Sequence, residues 1–207
     1  MDFNNIRTAS CQLAKKFGFH IPASLPLLET DSDPRPIEDI VDRALVVSVI
    51  VAVSYGFKRD AALLWLEQES LMELLSPQEK DFLSGSDERR QQFQVQVETL
   101  CAFAWSLGLL PDLDFEKDCP NHLVSLYPDF KKMETTAKFR ERAKLRTTQE
   151  IVEACDAAYC LHWGLNQAML DGVKSKRRIS PIVVTERRRA LEWILGKEDW
   201  DEIALDT

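Results

Sequence analysis

The chain has 207 residues, 45% of them hydrophobic and 29% charged, with a formal net charge of −8. This length admits one domain or two small ones, and the composition is that of an ordinary globular protein. The acidity excludes a surface built as a whole for polyanions, and seven glycines among abundant Leu, Ala, Glu and Arg favour helices over strands.

In chain order, residues 1–19 hold a short helix that stops at Gly18. Residues 20–36 contain Pro22, Pro26, Pro34 and Pro36, and so form an extended arm laid on the body. Residues 38–55 are apolar nearly all round. Their Val and Ile content suits a buried strand as well, but length and the acidic first turn (Glu38, Asp39) select a central helix. A second helix is expected over 59–75. Ser76-Pro77-Gln78-Glu79 is a helix start: serine caps, proline takes the first position and glutamate completes a capping box.

Residues 87–107 carry Phe93, Val97, Leu100, Ala104 and Leu107 on one face and read as one long helix ending at Gly108. A loop broken by Pro111, Pro120 and Pro128 then spans 109–129. Structureless loops of that length are uncommon inside compact domains unless they carry function. Residues 131–146 suggest a weaker helix. Thr147 and Glu150 open another with a capping box, running to about residue 170, and Ser180-Pro181 starts the last one, which stops at Gly196. No strand-period alternation of any length occurs. The expected fold is all-α: a single domain over 1–207 with six or seven helices, with residues 1–36 packed on it as a helix and an arm.

Five cysteines (Cys11, Cys101, Cys119, Cys155, Cys160) are an odd number without a disulfide framework, which implies reduced thiols and a cytoplasmic setting. The N-terminus has no basic segment followed by an apolar one, so no signal peptide is expected. The longest apolar run, 44–53, is interrupted only by Ser48 and falls short of the roughly 20 residues that cross a bilayer. No membrane partner is expected.

Several segments together resemble the bacterial and fungal family known as domain of unknown function 4272. They begin with Arg7, Ser10, Leu13, Gly18 and Leu25-Pro26, then Arg43-Ala44-Leu45, Trp65-Leu66, Leu75-Ser76-Pro77, Glu79 and Phe82-Leu83. Glu98, Leu100 and Trp105-Ser106-Leu107-Gly108 follow. The last third adds Glu150-Ile151, Asp156, Tyr159, His162-Trp163, Val183-Val184, Glu186-Arg187, Ala190-Leu191, Trp193, Trp200-Asp201 and Asp206-Thr207. The order and spacing carry the likeness, over nearly the whole chain. Cys160 stands where the family pattern has an arginine, and Arg188 where it has a histidine. The family is uncharacterised, so the resemblance implies a fold and no activity.

The unusual chemistry lies in polar residues on apolar faces. Arg187 has Val183, Ala190 and Ile194 on one side of it and Val184, Leu191 and Leu195 on the other. A guanidinium there must meet a carboxylate or carbonyls, with Asp156 and Glu98 the expected partners. His162 falls among Ile151, Cys155, Ala158 and Met169, which predicts a buried ring bonded to a backbone carbonyl or to Asn166. Arg43 interrupts the most apolar helix. Arg43, Glu98, Asp156, Tyr159, His162 and Arg187 therefore form a candidate polar cluster. As a cleft it would offer a histidine and a carboxylate for acid–base work. As a buried network it would fix how the helices dock.

Metal ligation is not expected. Cys160 points away from Cys155 and His162 on a helix. The run Asp112, Asp114, Glu116, Asp118 lacks the glycine and glutamate of a calcium loop, Lys117 and Leu123 standing at those positions. Two basic islands, one of Lys131, Lys138, Arg142 and Arg146 and one of Lys174, Lys176, Arg177 and Arg178 with Arg188 and Arg189 exposed beside it, lack the aromatic interleaving of a nucleic-acid surface. Phosphate-loop, dinucleotide, nucleophile-elbow and kinase motifs are absent, and no cofactor is implied. The leading reading is a non-enzymatic protein-interaction or accessory protein, the immunity type included. The alternatives are a small-molecule-binding domain or hydrolase using His162, Asp156 and Glu98, and a phosphate or nucleic-acid binder using the basic islands.

Overall fold

A computed structural model describes residues 1–28 and 33–206. All its regular structure is helical: among the described residues there is no strand. α1 (Phe3–Phe17) starts where the Asp2 carboxylate accepts the N–H groups of Asn4 and Asn5, and ends at Gly18, whose φ of 89° only glycine adopts without strain. The arm then runs without helix over the described residues up to Pro36. The acidic residues Glu29 and Asp31 lie outside the described residues.

α2 (Ile37–Ser54) is buried on nearly all sides, which is why so many β-branched residues sit in a helix: neighbours on every face override a weak local preference. It packs against α3 (Arg59–Gln68), α4 (Pro77–Ser84), α5 (Arg90–Val95) and α6 (Val97–Ser106). On its far side α6 meets α9 (Pro181–Leu195). In turn α9 lies on α8 (Thr148–Leu170), and α8 on α1. One continuous apolar cluster runs through all these contacts. No helix among the described residues is long and apolar enough to cross a membrane.

Both expected capping boxes are present, at Ser76 and Thr147. Three expected helices are shorter than their periodicity implies. The one over 59–75 stops at Gln68, because Ser70 takes a left-handed conformation (φ 59°) and turns the chain into a 3₁₀ turn over Met72–Leu74. The one over 87–107 is broken at Gln96, where ψ is −1° and the amide bonds back to Phe93 at 3.3 Å, giving α5 and α6. The one over 131–146 shrinks to α7 (Ala137–Arg142). There, side chains capture the backbone: Asp129 accepts from Lys131 N, Glu134 from Asp129 N, and Glu69 from Thr136 N. Such local bonds compete with helix formation.

Candidate functional site

The six polar residues read from the sequence do not converge on one cleft. They belong to three separate clamps, each built on an arginine that ties irregular backbone to a helix.

In the first clamp, Arg43 of α2 donates from Nη2 to both carboxylate oxygens of Glu79, at 2.6 and 2.7 Å, and from Nη1 to Leu74 O at 3.3 Å. Glu79, the capping-box residue of α4, is fully buried and also accepts from Ser76 N. Ser76 Oγ in turn donates to Asp201 at 2.8 Å, and the other Asp201 oxygen accepts from Gln78 N. The guanidinium lies over the Trp200 ring, 5.0 Å from its centroid. These five residues come from three distant places in the sequence, at 43, 76–79 and 200–201. Together they dock the C-terminal segment on the start of α4.

The second clamp is Arg187, which is 1% exposed. Its Nε and Nη2 donate to Glu98 Oε2 at 3.0 and 2.6 Å. Nη1 donates to Asp114 O at 2.7 Å, and Nη2 also to Lys117 O at 2.9 Å. The second Glu98 oxygen accepts from Cys119 N at 2.8 Å. The pair thus holds the first half of the long loop against α6 and α9. Burial pushes the thiols beside it up, Cys101 to about 11 and Cys119 to about 12, so neither supplies a thiolate near neutral pH.

The third clamp surrounds Tyr159. Asp156 pairs with Arg7 of α1 and not with Arg187: Nη2 lies 2.7 Å from Oδ1, and Nε 3.2 Å from both oxygens. Arg7 also holds the arm, donating to Leu25 O and Pro26 O. Arg7 and Arg188 both lie over the Tyr159 ring, their guanidinium carbons 5.5 and 4.7 Å from its centroid. Arg188 is buried and belongs to no basic surface, against the sequence expectation. It donates to Glu192 at 2.6 Å and Asp206 O at 3.2 Å, and its Nη1 lies 2.7 Å from His162 Nδ1.

His162 also corrects its expectation. It is half-buried, and its Nδ1 faces an arginine. A guanidinium has only protons to give, so Nδ1 is the acceptor and the ring is neutral. Burial, reinforced by the Arg188 charge, lowers its pKa to about 4. A base that weak is poorly matched to acid–base chemistry near neutral pH.

The basic islands are compensated in part. Arg177 pairs with Glu116 at 3.0 Å, Lys138 with Glu134 at 3.1 Å and Arg146 with Glu150 at 2.9 Å. Arg146 also donates to Trp105 O, Leu110 O and Pro111 O, closing the end of α6. Among the described residues no group of three or more His, Cys, Asp or Glu side chains is placed to hold a metal ion.

A wide concavity lies away from all three clamps. A cleft of about 1300 Å³ opens between the C-terminal half of α2, the start of α6 and residues 121–134. Val51, Ala52, Val97, Leu100 and Phe130 give it an apolar floor and walls. Tyr55 and Val124, 65% and 72% exposed, stand on its rim. The outer wall is fixed: Trp65 Nε1 donates to Glu134 O at 2.8 Å, its ring meets Phe130 edge-on, and Tyr127 OH donates to Leu100 O at 2.7 Å. None of these residues announces a surface in the sequence. Val124 sits in Leu123-Val124-Ser125-Leu126 and reads as buried, so only the long loop itself pointed to this region.

The family described as Domain of unknown function (DUF4272) matches residues 7–203, and the chain belongs to it. No curated protein and no solved structure matches the chain.

Proposed function

We propose that this DUF4272 protein is a non-enzymatic binding protein whose macromolecular partner docks in the cleft between α2, α6 and residues 121–134. The carrying observation is the pairing of a wide cleft with an apolar floor and large exposed side chains on its rim, Tyr55 and Val124. Concave, mostly apolar surface is the usual form of a binding site. At about 1300 Å³ the cleft exceeds the roughly 300–1,000 Å³ usual for small ligands. The residues that could have served catalysis are engaged elsewhere: Glu98, Asp156 and Glu79 are saturated by arginines, and His162 is held neutral against Arg188.

Photo-crosslinking in host cells tests this reading. A benzophenone amino acid replacing Tyr55, and separately Val124, should capture one and the same protein, and Ala52→Arg should abolish both adducts. His162→Gln should leave them intact. Adducts that survive Ala52→Arg, or none from either position, would overturn the reading.

A further inference from the structure

From the charges on the rim of this cleft we infer the kind of partner it accepts: an amphipathic helix whose apolar face fills the groove and whose flanks carry carboxylates that meet Lys58 and Lys131. The inference rests on the binding function proposed above and adds the partner's conformation and charge.

Conformation follows from hydrogen bonding. An extended peptide entering an apolar groove must find partners for its own N–H and C=O groups, which peptide-binding sheets supply from an open edge. Here no strand exists among the described residues, and the walls are helix faces and 3₁₀ turns whose backbone is already bonded internally, as at Tyr127 N with Val124 O and Met133 N with Phe130 O. A partner buried here has to satisfy its backbone itself, and a helix does so.

Sign follows from the ion pairs. Four charged side chains line the cleft: Lys58, Lys131, Asp129 and Glu134. Both acids have cations of their own, Asp129 pairing with Lys132 at 2.9 Å and Glu134 with Lys138 at 3.1 Å. Both also accept backbone N–H groups, which with those lysines holds their carboxyls below the usual range, so both are ionised and engaged. Lys58 and Lys131 are exposed and have no carboxylate partner among the described residues. On a protein with a net charge of −8, this apolar groove is bordered by two exposed cations without acidic partners among the described residues. It selects acidic flanks by attraction at the groove, while the acidic remainder of the surface limits nonspecific association with other acidic proteins.

The test is a phage-displayed library of amphipathic helices with a fixed apolar face and flanking positions randomised among Asp, Glu, Lys, Arg and Ser, selected on the full chain. Acidic flanks should be enriched. Selected peptides should bind the Lys58→Glu/Lys131→Glu variant about tenfold more weakly and weaken as salt rises. Ala52→Arg should remove binding while leaving the melting temperature in place. Peptides that are lost on Ala52→Arg but show neutral or basic flanks, or ignore the lysine reversal, would overturn the charge assignment and leave the binding cleft standing. No enriched helix, with laurate raising the melting temperature of the wild type and not of Ala52→Arg, would replace the helix with a small amphipathic ligand. No enrichment and no laurate effect would remove the cleft reading as well.

Discussion

The arginine clamps and the cleft treat their surroundings in opposite ways. Around α1, α8 and α9, charge is taken inside and matched: Arg7, Arg187 and Arg188 each combine a side-chain partner with backbone carbonyls of the arm, the long loop or the C-terminal segment. Around α2 and residues 121–134, apolar surface is left outside and unmatched. Each arginine clamp fastens a segment with no regular hydrogen bonding of its own. A guanidinium suits that task, because its planar array of donors reaches carboxylate and carbonyls at once. The cleft has no such fastening to complete. Polar residues on an apolar helix face therefore mark where the chain is tied to itself, whereas the apolar side chains on the cleft rim, Tyr55 and Val124, are left in solvent.

The largest expected effect breaks a clamp. Arg187→Ala leaves Glu98 buried without its counter-charge and frees two loop carbonyls, so it should lower stability by about 3–5 kcal/mol in urea unfolding. Proteolysis of the native protein should then begin within 112–119. The double variant Glu98→Gln/Arg187→Met should recover part of the loss. A loss under about 1 kcal/mol, the range of a surface pair, would show that the clamp does not hold the loop.

Gly164→Ala comes next. A Cβ at this position in α8 would stand 2.5 Å from the Phe19 ring, so the arm must shift. Overpacking of this kind costs about 1–3 kcal/mol. Unchanged stability would show that the arm moves freely away from α8, and would weaken the view of Arg7 as its anchor.

The pH dependence of the Arg188–His162 contact should be smaller. The folded ring has its pKa lowered to about 4, against about 6.5 when unfolded, so the unfolded state takes up the proton first. The stabilising contribution is present above pH 6.5 and is lost as the pH falls from there toward 4. His162→Gln should flatten the melting temperature between pH 7 and 5 relative to wild type. Parallel curves for the two proteins would place a protonated ring in the fold and contradict the acceptor role of Nδ1.

The smallest effect on stability is expected at the cleft. Tyr55→Ser and Val124→Ser remove side chains that are mostly in solvent and should change unfolding free energy by no more than about 0.5 kcal/mol. A large loss at either position would assign the rim to the protein's own packing and erase the contrast with the clamps.

Much of the architecture follows from local signals. Capping residues at Asp2, Ser76, Thr147 and Ser180, glycine at 18 and periodic apolar faces specify helix starts, stops and buried sides, because those signals act within one or two turns. The burial of Arg187 was legible for the same reason: its neighbours one turn away are all apolar, and a charge among them has to be paired. Which acid pairs with it was not. Glu98 and Asp156 are equivalent on paper, and only the packing of α9 on α6 and of α1 on α8 gives the first to Arg187 and the second to Arg7. The breaks at Ser70 and Gln96, and at Met133 where φ is 51°, likewise depend on turns and side-chain bonds that no apolar period encodes. The cleft was the least legible feature. Its lining comes from α2, α6 and a segment some seventy residues beyond α2, and an apolar side chain looks the same in the sequence whether neighbours cover it or leave it bare.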